Sequence, residues 1–208
     1  MKWMIASDIH GSAYWCEKML DCYVKEGADR LLLLGDILYH GPRNDLPREY
    51  EPKRVIAMLN AVKDSILSVR GNCDTEVDQM VLEFPVLADY AVVADGERLI
   101  YATHGHIYNE GKLPPLHNGD ILLHGHTHVP KCAEHGTYVC MNPGSDVLKR
   151  LYPQKRPKGA KIAENRAEGE IFSERGGTGG ETSYNRSLVL KKYELAYSRL
   201  FHRFRQKP

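Results

Sequence analysis

No stretch of this 208-residue chain is apolar for anything near the roughly 20 residues that cross a bilayer. The first apolar run, Lys2-Trp-Met-Ile-Ala6, is broken by Asp8 and is too short for the core of a secretory leader. A cytoplasmic protein with no membrane association is therefore expected. Cysteine is scarce and unpatterned. Cys16, Cys22, Cys73, Cys132 and Cys140 are odd in number and irregular in spacing, which argues against a disulfide framework and fits reduced thiols. No repeat of fixed period is visible. Nor does one sign of charge dominate: the formal net charge is +1.

That balance conceals a division. From Asp146 onward there are 15 Lys and Arg against 7 Asp and Glu, a net charge of +8, and the residues before it carry −7. Nine of the ten histidines and all five cysteines precede Asp146, so the chemistry belongs to the first part. A content of 42% hydrophobic residues is enough for one sizeable core.

Within the first part, short apolar runs alternate with helical patterns. Met1 to Ser7 reads as a buried strand ending in Asp8-Ile-His10. Ser12 to Lys25 has helical spacing, with Ser12 as N-cap and Gly27 as stop signal. Arg30 to Leu34 is too continuously apolar to be half-exposed and leads into Gly35-Asp36. A helix is expected from Lys53 to Val62, and Ser65 to Val69 reads as a third strand ending in Arg70-Gly-Asn72-Cys-Asp74, followed by a short helix over 76–82. Tyr90 to Ala94 and Arg98 to Thr103 flank Asp95-Gly96, a hairpin signal, and the second arm ends in His104-Gly-His106. Ile121 to Leu123 ends in His124-Gly-His126-Thr-His128, and Thr137 to Met141 leads to Asn142-Pro-Gly-Ser145. Strands that alternate with helices imply parallel units, and polar groups gathered at strand ends mark the expected site of such sheets.

Asp8, His10, Asp36, Asn72, His104, His126 and His128 together offer carboxylate, amide and imidazole donors. That set suits borderline divalent metals and lacks the thiolates of structural zinc. Seven ligands are too many for one ion. Two ions about 3.5–4 Å apart with a bridging carboxylate would use them all, and such sites hydrolyse phosphate esters by in-line attack of a metal-bound hydroxide.

These blocks (Asp8-Ile-His10, Gly35-Asp36, Gly71-Asn72-Cys-Asp74, His104-Gly-His106 and Gly125-His126-Thr-His128) resemble the five motifs of the calcineurin-like metallophosphoesterases. With Glu76 to Met80 and His40-Gly-Pro-Arg43-Asn44 added, they resemble the small bacterial phosphodiesterases of that family. The resemblance covers Met1 to Ser145. It implies an α/β four-layer αββα sandwich, two mixed β-sheets flanked by helices. It also implies Asp8, His10, Asp36 and His128 around one metal and Asp36, Asn72, His104 and His126 around the other, with Asp36 bridging. Manganese is the implied metal, with zinc, iron, nickel or magnesium as substitutes. The implied substrate is a small phosphodiester. A phosphomonoesterase, or a scaffold like the retromer subunit of this fold, would be the competing functions. Specific nucleic-acid binding is not expected, and a homo-oligomer is compatible with the sequence.

Two departures from the family pattern stand out. Where many members have a proton-donating histidine after the ligand Asn72, this chain has Cys73, a poorer acid, which leaves His106, His40 or water to supply the proton. After Ser145 the resemblance stops, and residues 146–208 form a basic tail rich in Arg, Gly and Pro. Its composition favours disorder, with helical spacing only over 187–204, and a reading-frame change near codon 146 would account for the break. Without the family's closing strands, the second sheet is expected to keep an open edge after Met141.

Overall fold

The computed structural model describes residues 1–145; the tail expectations for 146–208 lie outside the described residues. Three parallel strands form the first sheet in the order β1 (Trp3–Ala6), β2 (Arg30–Leu33), β3 (Ile66–Ser68). The central strand pairs Met4 with Leu31 on one side and Leu31 with Ile66 on the other. Leu31 to Leu34 are buried, as a strand covered on both faces requires.

Helix α1 (Ala13–Lys25) begins at Ser12, whose hydroxyl accepts the Trp15 N–H at 3.3 Å, and Gly27 just beyond its end has φ of 57°. Helix α2 (Pro52–Asn60) starts earlier than expected because Pro52 is preorganised for a first helical position, and it buries Val55 and Leu59, one turn apart. Helix α3 (Glu76–Val81) is opened by a reciprocal capping box between Thr75 and Asp78. Cys16, Met19, Leu31, Leu33, Ile37, Val55, Leu59 and Phe84 belong to the core that these helices share with the first sheet.

The second sheet is mixed, in the order β4 (Tyr90–Asp95), β5 (Arg98–Thr103), β6 (Ile121–Leu123), β8 (Val139–Asn142), β7 (Lys131–Glu134). β4 and β5 make the expected hairpin, but Asp95 pairs with Arg98, so Gly96-Glu97 is the two-residue turn. Strand β7 has no apolar run to announce it. It folds back on β8 through a turn in which His135 N–H donates to the Tyr138 carbonyl and Gly136 has φ of 75°. This corrects the expected edge after Met141. β8 is interior, hydrogen-bonded to β6 on one side and β7 on the other, and among the described residues the outer position falls to a four-residue strand with Lys131 and Glu134 at its ends. Short, charged strands are one way in which proteins blunt a sheet edge. No helix among the described residues is long and apolar enough to cross a membrane.

Candidate metal centre

Every expected ligand lies just past a strand's C-terminal end: Asp8 and His10 after β1, Asp36 after β2, Asn72 after β3, His104 after β5, His126 and His128 after β6. The chain turns abruptly there. Asp8, His10, Asp36, His126 and His128 all have φ between 50° and 65°, and among the described residues Glu49 is the one other non-glycine in that region. Such conformations cost roughly 1–3 kcal/mol each and persist only where surrounding bonds hold them. Here those bonds run between tips: Asp8 N–H to the Gly35 carbonyl, His10 N–H to the Asp36 carbonyl, His126 N–H to Asp8 Oδ2, and Ser145 Oγ to the Asp8 carbonyl.

The side chains gather in two overlapping groups. His128 Nε2 lies 3.4 Å from Asp8 Oδ1 and 3.4 Å from His10 Nε2, which is itself 3.6 Å from Asp36 Oδ2. The same Asp36 oxygen is 3.4 Å from His104 Nε2, which is 3.0 Å from Asn72 Oδ1 and 3.2 Å from His126 Nδ1. One carboxylate oxygen thus belongs to both groups. His10 and His104 direct Nδ1 at the Tyr39 and Leu34 carbonyls, 2.7 and 2.6 Å away, which fixes a proton on Nδ1 and turns Nε2 inward.

The arrangement fits divalent cations. Asp8 is fully buried, yet its Oδ1 accepts no hydrogen bond among the described residues. Imidazole nitrogens that face each other at 3.2–3.4 Å repel unless a proton or a metal lies between them. Oxygen and nitrogen donors at these separations match the edge lengths that a coordination shell would have.

Asp74, which the sequence shows only as a motif letter, holds the centre together. It is buried, and its two oxygens accept the N–H groups of Asp36, Gly71 and Ile37 at 2.7–2.9 Å, clamping the tip of β2 to the tip of β3. A Cβ on Gly71 would stand 2.1 Å from Asp36 Oδ1, and one on Gly125 would stand 1.9 Å from Ser7 Oγ, so both loops approach their neighbours too closely for a side chain.

Burial disfavours a charged Asp36, but the His104 hydrogen bond and charge, the Cys73 N–H and the His10 charge outweigh it and take its pKa down to about 2. His104, despite burial, is carried up to about 9 by Asp36. Burial pushes His106, His126 and His128 below the ordinary 6.5, the last two thereby favouring the neutral, ligating form. The signs set a pH profile for the metal-free protein. His104 contributes stability that is full below 6.5 and lost as pH rises through about 9, whereas the three lowered histidines cost stability below 6.5. Thermal stability without metal is expected to fall between pH 6.5 and 9, and His104→Asn is expected to flatten that limb. Parallel profiles for the two proteins would contradict the assignment.

Cys73 sits beside Asp36, with its N–H on Asp36 Oδ1 at 2.8 Å and the Asn72 amide 3.3 Å from its sulfur. Burial and the carboxylates of Asp36, Asp74 and Asp8 push the thiol up to about 12. His106 packs on the His104 side, 5.3 Å between ring centroids. His40 is ringed edge-on by Tyr39 and Tyr50, and the exposed Arg43 guanidinium lowers the pKa of His126.

The chain matches the calcineurin-like phosphoesterase superfamily domain over residues 1–160, and it belongs to that superfamily. The match runs past Ser145, where the resemblance was expected to stop. Within it, the chain is 46% identical over 145 residues to Phosphodiesterase YfcE of Escherichia coli strain K12, covering 70% of this chain and 79% of that protein. The solved structure of YfcE, a phosphoesterase from E. coli, superposes with a TM-score of 0.69 at 46% identity, over 70% of this chain and 80% of the other. An archaeal phosphodiesterase, 21% identical over 73% of this chain and 88% of its own, shares the fold with a TM-score of 0.51. The chain therefore has the metallophosphoesterase fold.

Proposed function

We propose that Asp8, His10, Asp36 and His128 hold one divalent ion and Asp36, Asn72, His104 and His126 a second, with Asp36 Oδ2 shared. The observation that carries this is the position of that one oxygen, 3.6 Å from His10 Nε2 and 3.4 Å from His104 Nε2. The chain is a metal-dependent phosphodiesterase. When bound, the two ions supply a nucleophilic water at neutral pH and neutralise charge on the phosphoryl oxygens. Manganese is the ion proposed, as the family resemblance implies; the oxygen and imidazole donors also admit zinc, iron, nickel and magnesium.

The chain's own residues do the positioning. The Nδ1 bonds of His10 and His104 aim their ligating nitrogens, and Asp74 fixes the backbone from which Asp36 projects. Arg43, exposed on the loop after β2, is the cation proposed for the phosphate's remaining charge. A thiol of pKa about 12 and a His106 held below 6.5 are both weak proton donors at neutral pH, so leaving groups that need no proton are favoured. Small diesters are the proposed substrates. A scaffold function is disfavoured because all seven ligand positions carry ligating side chains that converge.

Metal analysis of protein purified without chelator, followed by mono- and diester substrates of graded leaving-group pKa, tests this. Two ions per chain at this centre and diester turnover that falls steeply with leaving-group pKa are expected. Absence of metal-supported diester hydrolysis would overturn the proposal. On the same panel, Cys73→His is expected to raise rates on poor leaving groups more than on activated aryl esters, because an imidazole donates a proton where the thiol does not. Equal changes on both would show that Cys73 only packs.

A further inference from the structure

A second cluster of ligating atoms lies outside the strand-tip centre. Glu110, on the loop after β5, His124, at the end of β6, and Cys140, inside β8, each bring one ligating atom within 4.8 Å of the others. Cys140 is fully buried and His124 is 4% exposed.

The hydrogen bonds around His124 determine its tautomer. The Asn142 amide nitrogen has two hydrogens, and it donates to the Gly125 carbonyl at 2.8 Å and to Thr127 Oγ1 at 3.0 Å. It has none left for His124 Nδ1, 3.3 Å away, so Nδ1 carries the proton and donates to the Gly125 carbonyl at 3.1 Å. Nε2 is then a bare lone pair, buried and without a hydrogen-bond partner among the described residues. An Nδ1–H held by a backbone carbonyl with Nε2 free is the arrangement of a metal-ligating histidine.

We propose that Glu110, His124 Nε2 and Cys140 Sγ form a third metal site that takes a zinc-class ion. Thiolate, imidazole and carboxylate are zinc's ligand types, and a tetrahedral ion with bonds of about 2.0–2.3 Å needs its ligand atoms about 3.5 Å apart, a modest contraction of the observed cluster. The thiolate separates this site from the oxygen and imidazole centre and selects against manganese. Lys131 Nζ pairs with Glu110, 2.7 and 2.6 Å from its two oxygens, and His135 Nε2 lies 2.7 Å from Oε1. The Lys131 side chain is 42% exposed and free to swing into solvent as the ion enters, while His135 keeps Glu110 turned toward Cys140. Burial and Glu110 push the Cys140 thiol up to about 12, so it is inert until an ion arrives. Binding replaces the S–H bond by a sulfur–metal bond and releases that proton to solvent. The ion would tie the loop bearing Glu110 to β6 and β8, two residues before His126.

The test is cobalt(II) titration of the full chain in excess manganese, read by thiolate-to-cobalt charge-transfer absorption in the near ultraviolet. One equivalent should give the band. Cys140→Ser should abolish it, and Glu110→Ala, at a partly exposed position with little bearing on folding, should weaken cobalt binding by about tenfold or more. Cys73→Ser should keep it, since that thiol belongs to the other centre, and Asp36→Asn should keep it too, which separates this site from the fate of the two-ion centre. No band in the wild-type chain, a band that survives Cys140→Ser or disappears with Cys73→Ser, or unchanged affinity in Glu110→Ala would overturn the proposal.

Discussion

Asp36→Asn is expected to abolish diester turnover, by roughly a thousandfold or more, and to leave one metal ion or none at the strand-tip centre. Its Oδ2 is the one atom that faces both His10 Nε2 and His104 Nε2. A neutral amide would present either a weaker oxygen or an N–H to two dications, and the charge it fails to neutralise remains in a buried site. The fold should survive the change. Asp36 Oδ1 accepts the Cys73 N–H, and an amide oxygen serves that bond as well. Elemental analysis and steady-state turnover on one activated diester check the expectation together. A variant with two ions and near-wild-type turnover would remove the shared oxygen from the account.

Asp74→Asn should act differently, on stability first and on metal second. The carboxylate accepts three backbone N–H groups with two oxygens, whereas an amide offers one oxygen and turns N–H against at least one of those donors. An unsatisfied buried donor costs about 1–3 kcal/mol, and two N–H groups in opposition cost more, so a loss of about 3 kcal/mol and of several degrees in Tm is expected. Because the clamped backbone includes Asp36 N itself, metal affinity should fall as well, although Asp74 itself is not one of the seven candidate ligands. Thermal melts with and without added manganese distinguish this from a direct ligand role: the destabilisation should be present without metal. A variant as stable as wild type when metal-free would mean that the clamp is not what holds the two tips.

The strand tips were legible because an apolar run that ends in Asp-x-His or His-x-His is conspicuous, and all seven candidate ligands meet where those runs implied. Ser12 as a cap and Gly27 as a stop were legible because capping is local chemistry. What escaped depends on partners distant in the chain. Lys131-Cys-Ala-Glu134 has no pattern of its own and becomes a strand because β8 offers it a ladder. The interior place of β8 follows from its pairing with β6, sixteen residues before its start, which no local pattern encodes. Asp74 works through backbone N–H groups, which are the same at every residue and leave no trace in composition. Glu110, His124 and Cys140 lie on three separate elements, and only the order of the second sheet brings them together.

Anomalous diffraction at the manganese edge, on crystals grown with manganese and no chelator, tests the central claim most directly. The account predicts two peaks about 3.5–4 Å apart on either side of Asp36 Oδ2, one among Asp8, His10 and His128 and the other among Asn72, His104 and His126. A single peak, or two peaks that do not share Asp36, would contradict it.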